Sequence, residues 1–198
     1  SFWTGASGSS FGTAASWDPS GVPDGTTHVL IDDTTTCTIS SPRSVRRLLV
    51  GGTVESLIEV NSSLTVGQNV DMANYGTLEI NDDPGATVSN NVFVGNGGII
   101  THNDNGSTEA DRLVLSVLNN VSVNAGGRID VTGKGYTGNR VPGGTYVGNY
   151  YGMGGSHGGQ GGKSRSSEHK HPLFTYGLIT APTNSGAGGR GYSGPATN

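Results

Sequence analysis

Three stretches of this chain, 68–80 (QNVDMANYGTLEI), 90–102 (NNVFVGNGGIITH) and 119–131 (NNVSVNAGGRIDV), hold one register: Asn-Val, a glycine seven residues after the Asn, and an aliphatic residue two beyond that. The triplets are Asn69/Gly76/Leu78, Asn91/Gly98/Ile100 and Asn120/Gly127/Ile129, so successive repeats begin 22 and then 29 residues apart. Self-similarity at that spacing places the chain among solenoids rather than folds built around a single compact core.

Within each repeat the apolar residues come in pairs spaced by two, the period of a strand with one buried face. The pairs are Leu64/Val66, Val70/Met72 and Leu78/Ile80, then Ala86/Val88, Val92/Val94 and Ile100/His102, then Leu115/Val117, Val121/Val123 and Ile129/Val131. An additional turn is visible upstream in Leu48/Val50 and Ile58/Val60. Three short strands per turn predict an all-β, right-handed parallel β-helix with coils of about 22 residues, in which equivalent side chains stack into ladders such as Val70–Val92–Val121. The alternative for many short strands is an antiparallel sandwich of hairpins, which does not account for three pairs recurring at one pitch. No stretch reads as a helix of useful length.

Composition changes near Thr132. Residues 1–132 hold 16 of the 35 glycines and carry a net charge of −9, whereas residues 133–198 hold 19 glycines and carry +5, which together give the net −4 of the chain. Six of the seven tyrosines lie in the second part. The expected organisation is therefore an N-terminal capping segment over 1–47, β-helix coils over 48–132 and a basic Gly/Tyr-rich extension over 133–198. In that extension Tyr146, Tyr150, Tyr151 and Tyr176 are the candidates for burial on a neighbouring subunit, and the opposed charges suit head-to-tail self-association into a filament.

A start at Ser1 and a Gly-rich end suggest a processed or partial piece of a longer chain. The lone Cys37 excludes an internal disulfide framework, and its place in the run Thr36-Cys37-Thr38-Ile39 predicts a small buried residue without a reactive role. No apolar run approaches the length of a membrane span. Acceptor sequons at Asn61, Asn105 and Asn120 are compatible with N-glycosylation in a secretory eukaryote.

The first fifty residues carry a further pattern: Trp3-Thr4-Gly5, Trp17-Asp18-Pro19, Gly21-Val22-Pro23 and His28-Val29-Leu30-Ile31-Asp32, followed by Ser44-Val45-Arg46-Arg47-Leu48-Leu49-Val50. This opening resembles that of large secreted and cell-surface β-helix proteins of the adhesin kind, and is also similar to the glycine-rich β domain of fibrocystin-type cell-surface proteins. The Gly-rich block 152–162 (GMGGSHGGQGG) resembles blocks of the same proteins. The resemblance implies an extracellular or cell-surface, structural or adhesive β-helix, and it touches no catalytic fingerprint. In physical terms Trp3, Phe11 and Trp17 are suited to covering the exposed first coil of a solenoid.

Parallel β-helices also host polysaccharide lyases and glycosidases, whose chemistry needs carboxylates converging on one face. Neighbours such as Asp32-Asp33 point to opposite faces of a strand, Asp82-Asp83-Pro84-Gly85 reads as a turn, and Asp71 and Asp130 fall on different strands of their coils. No catalytic residue is assigned on this basis, and a carbohydrate-active enzyme or a non-catalytic glycan-binding module stands as the alternative. The seven-residue insertion before the third repeat concentrates oxygen donors, of which Asp104, Glu109 and Asp111 are candidate calcium ligands, although Thr101 and Arg112 depart from the helix-loop-helix calcium pattern. His157, Glu168, His169 and His171 read as an exposed basic loop rather than a transition-metal site. The segment 158–164 (GGQGGKS) lacks the preceding strand and following helix of a phosphate loop, and sparse basic residues on an acidic body disfavour nucleic acid. The expected partners are further copies or parts of a larger chain, and glycans.

Overall fold

The structure is a computed structural model that describes residues 1–81, 85–106, 108–136, 140–141, 144–145 and 180. Strands alternate with short corners, and the only helix among these residues is the single 3-10 turn Ala14–Ser16. The chain divides into two units, residues 1–103 with 111–131, and residues 104–110 with 132–198.

The first unit is a parallel β-solenoid. Its strands are β1 (Phe2–Trp3), β2 (Ser9–Ser10) and β3 (Trp17–Asp18), then β4 (His28–Ile31), β5 (Thr36–Ile39) and β6 (Arg43–Val45), then β7 (Arg47–Val50), β8 (Ser56–Val60) and β9 (Leu64–Val66). They continue as β10 (Val70–Met72), β11 (Gly76–Ile80) and β12 (Ala86–Val88), then β13 (Val92–Val94), β14 (Ile99–Thr101) and β15 (Leu115–Val117), and end with β16 (Val121–Val123) and β17 (Arg128–Ile129). Each coil from β4 to β15 gives one strand to each of three sheets, ordered β16-β13-β10-β7-β4-β1-β3, β17-β14-β11-β8-β5-β2 and β15-β12-β9-β6. Every pairing is parallel except that of β3 on β1, so the antiparallel sandwich is excluded.

The expected ladder is present, with Val92 opposite both Val70 and Val121. Inward rungs from all three sheets form one core that includes Ile31, Leu48, Ile58, Leu64, Leu78 and Ile100, each contributing about 1.5–3 kcal/mol on burial. Cys37 belongs to it, fully buried opposite Ile58, and burial pushes its thiol pKa up. The ladders begin upstream of Leu48: β4, β5 and β6 pair in register with β7, β8 and β9. Ahead of them, Trp17 packs edge-on against Trp3 and Phe11, with ring centroids 5.0 and 4.7 Å apart. The Trp17 indole N–H donates to the Phe11 carbonyl at 2.9 Å, so its polar edge is satisfied within the apolar stack.

The repeated Asn and Gly each have a structural task. The Asn91 and Asn120 N–H groups donate to the side-chain oxygens of Asn69 and Asn91, each at 3.2 Å, so one asparagine per coil joins successive corners. A second ladder links the Asn81 amide to Asn61 at 2.9 Å and the Asn103 N–H to Asn81 at 2.7 Å. Gly76 and Gly127 lie where a Cβ would fall 2.2 and 2.5 Å from the Val50 and Val94 carbonyl oxygens of the preceding coil. Their spacing reflects close backbone approach between coils.

In the second unit the insertion associates with residues after the solenoid. The Asn105 N–H and side-chain amide both donate to the Lys134 carbonyl, at 3.2 and 3.1 Å, and its side-chain oxygen accepts from the Ala110 N–H at 2.8 Å. Two further strands, β18 (Arg140–Val141) and β19 (Gly144–Thr145), pair antiparallel.

Candidate functional site

Inward rungs of a solenoid are committed to the core, so recognition chemistry is carried on its outward rungs and corners. On the six-stranded sheet one outward rung runs Thr36, Leu57, Thr77, Ile99 and Arg128 across successive coils. These side chains floor an open groove of about 590 Å³, within the size range of small-ligand sites. Glu55 and Tyr75, from the corners just before β8 and β11, line it as well, as does Glu79 from the next outward rung. A smaller depression of about 260 Å³ lies on the seven-stranded sheet beside Phe2, His28, Leu30 and Leu49.

Tyr75 is the unusual member. Its φ is +62°, and it is the one non-glycine residue with positive φ among the described residues. The structurally equivalent corners of the next two coils use Gly97 at +74° and Gly126 at +82°. A bulky side chain in this left-handed region costs on the order of 1–2 kcal/mol relative to glycine. Tyr75 is 57% exposed, so burial does not offset that cost.

Glu59 and Glu79 are direct neighbours on adjacent coils, between Thr38 and Thr101. Each is held by a neighbour: the Thr38 hydroxyl donates to Glu59 at 3.2 Å and the Asn81 amide to Glu79 at 2.8 Å. Asp32 and Asp33 serve corners. Asp32 accepts from the Thr53 N–H and hydroxyl, both at 2.9 Å, and from the Val54 N–H at 3.2 Å. Burial raises its pKa, and these three donors more than reverse that, leaving it below the ordinary carboxylate value. Asp33 accepts from the Thr35 N–H at 2.9 Å. Asp71 pairs with Arg47 at 2.8 Å, which raises the guanidinium pKa.

The candidate calcium residues are engaged as follows. Asp104 meets the Lys134 ammonium at 2.9 Å, and Glu109 accepts from the Tyr136 hydroxyl at 3.1 Å. Burial, followed by the bond to Glu109, pushes the Tyr136 pKa up to about 12. Asp111 lies in the first unit, whereas Asp104 and Glu109 lie in the second. Among the described residues no three His, Cys, Asp or Glu side chains gather as a metal site. Asn61 and Asn120 are exposed at corners, whereas Asn105 is buried with both ends of its amide bonded, so a glycan there would have to displace those contacts. Tyr146, Tyr150, Tyr151 and Tyr176, with His157, Glu168, His169 and His171, lie outside the described residues. Sequence reasoning missed the Glu59/Glu79 rung because the coil from β8 to β11 advances by 20 residues rather than 22. It also missed Tyr75, for which the signal was present: Tyr-Gly stands where the following repeats read Gly-Gly.

A family profile described as Domain of unknown function (DUF8693) matches residues 2–116. The chain belongs to this family. The DUF8693 span runs from β1 into β15 and takes in every groove residue named above except Arg128. No curated protein and no solved structure matches the chain. Among the described residues no helix is long and apolar enough to cross a membrane.

Proposed function

We propose that this DUF8693 chain is a structural and adhesive β-helix segment of a secreted or cell-surface protein, non-catalytic, and joined to further copies through one end of its solenoid. The observation that carries this reading is the difference between the two ends. At the first coil β3 covers the edge of β1, and Trp3, Phe11 and Trp17 are buried. At the last coil Val121, Val123 and Ile129 continue inward ladders yet are 44–47% exposed, whereas Val92, Val94 and Ile100 one coil earlier are fully buried. Half-exposed core rungs beside strand edges that pair with no further strand among the described residues favour the addition of more strands. Because β3 occupies the opposite edge of the seven-stranded sheet and the aromatic residues beside it are buried, contact through two last coils is favoured, an isologous pair rather than the head-to-tail filament suggested by charge alone. The extracellular setting is supported by the resemblance of the Trp3-to-Asp32 opening and by the exposed sequons at Asn61 and Asn120.

Analytical ultracentrifugation tests this directly. The intact chain should dimerise with rising concentration, and Val121→Lys/Val123→Lys should remain monomeric with its melting temperature nearly unchanged. A monomeric intact chain at all concentrations would overturn the pairing, and open-ended polymers would restore the filament.

A further inference from the structure

We propose that the outward face of the six-stranded sheet binds an uncharged polysaccharide strand running along the solenoid axis, with Tyr75 as its stacking platform. The proposal deepens the adhesive part of the reading above and does not depend on self-association. It begins with Tyr75, where the fold carries a strained φ of +62° at a corner that the next two coils assign to glycine. Among the described residues nothing uses the side chain: Tyr75 is 57% exposed, and its hydroxyl makes no hydrogen bond there. Strain kept at an exposed aromatic residue that lines a groove points to a ligand. The groove beside it matches that of a sugar. Its floor alternates hydroxyl and aliphatic rungs, Thr36, Leu57, Thr77 and Ile99, suited to a pyranose that presents both hydroxyls and a C–H face.

Spacing and charge then select the class of ligand. Rungs of a parallel stack repeat every ~4.8 Å, about the advance of one pyranose in an extended chain, so consecutive sugars meet equivalent positions on consecutive coils. Glu55 and Glu79 accept hydroxyl donors at the margins and repel polyanions, and Arg128 adds a donor at the end of the floor. The combination favours neutral chains such as glucans, xylans and mannans over polyuronates.

The test measures retention of the intact chain by affinity electrophoresis and calorimetry on a panel of neutral β-glucans, xylan and mannan, with polygalacturonate and alginate as acidic counterparts. The chain should bind at least one neutral polysaccharide and bind the acidic ones more weakly. Tyr75→Gly should reduce that affinity by roughly tenfold, the loss of an aromatic stacking contact, while its melting temperature stays level or rises because the strain is relieved. Val121→Lys/Val123→Lys should bind as the parent does, so failed pairing and failed glycan binding are separable. The proposal is overturned if no neutral polysaccharide is retained, if polyuronates bind better, if Tyr75→Gly binds like the parent, or if that variant melts markedly lower and so reveals a packing role.

Discussion

Replacing Gly76 by alanine isolates the contact that fixes the spacing between coils. The φ of Gly76 is not in the left-handed region, so alanine can adopt the same backbone, and the cost is steric alone. Its Cβ would lie 2.2 Å from the Val50 oxygen, 2.6 Å from the Val50 carbonyl carbon and 3.1 Å from the Gly51 nitrogen. All three atoms are backbone of the preceding coil, at the end of β7 and the corner after it, so no rotamer change relieves the clash, and the start of β11 must move away from Val50 and Gly51. Overpacking a close-fitted interior costs about 1–3 kcal/mol, and an unyielding backbone contact belongs near ~3. Gly98→Ala provides an internal control in the next coil, because its closest contact is the Met72 Cβ at 3.0 Å, with carbonyl oxygens at 3.1 Å, so small shifts suffice at about 1 kcal/mol. At roughly 4 °C per kcal/mol for a unit of this size, thermal melts followed by circular dichroism should fall by about 12 °C for Gly76→Ala and about 4 °C for Gly98→Ala. Urea melts should rank the two in the same order. Equal melts for Gly76→Ala and the parent, or a larger loss for Gly98→Ala, would refute the close-approach explanation of the glycine repeat.

Val92→Asp places a carboxylate at a fully buried rung between Val70 and Val121 and should cost on the order of 3–5 kcal/mol, measured by urea denaturation; an unchanged midpoint would mean that the ladder is misplaced. Asp32→Asn addresses the corner that ties β4 to the loop before β8. The pKa of Asp32 is depressed in the folded state, so its contribution is in place above the ordinary carboxylate value of 3.8 and is lost as pH falls through the lower folded value. With allowance for partial exposure, the parent should be more stable than Asp32→Asn by about 1 kcal/mol near pH 7, and the difference should shrink as pH falls below the ordinary carboxylate range. A difference independent of pH would show that charge at Asp32 has no role.

The sequence carried the solenoid in its alternation and in the Asn, Gly and aliphatic register, because those features are local to each strand and corner. Val70, Val92 and Val121 stack as their spacing implies, and the 29-residue step between the last two is absorbed by the insertion. The coil of β4, β5 and β6 was harder to see. Its corners are short and unlike the later ones, and polar residues flank Cys37 and Ile39, so its strands read as part of a cap. The groove was largely illegible for a related reason. Glu59 and Glu79 stand 20 residues apart while neighbouring rungs stand 22 apart, and the difference arises in corner lengths rather than in hydrophobic pattern. Nor does a sequence state that Tyr75 adopts the φ of a glycine. The bonds from Asn105 to Lys134 join residues 29 apart without any periodic signal, which is why the insertion read as a solvated or calcium-binding loop.

Parallel, in-register stacking of successive coils underlies both the open end and the groove, and engineered cysteines test it most directly. Thr65 and Thr87 are exposed outward neighbours in the four-stranded sheet, so Thr65→Cys/Thr87→Cys should place its sulfurs within disulfide reach at a Cα separation of ~4.8 Å. Pairing Thr65→Cys instead with Ser89→Cys shifts the partner two residues along the chain and out of reach. Mild oxidation followed by mass spectrometry of peptides cut at glutamate, which separates residues 65 and 87 at Glu79, should find a near-complete crosslink in the first variant and almost none in the second. Equal crosslinking of the two, or its absence from the Thr65/Thr87 pair, would contradict the stacked register.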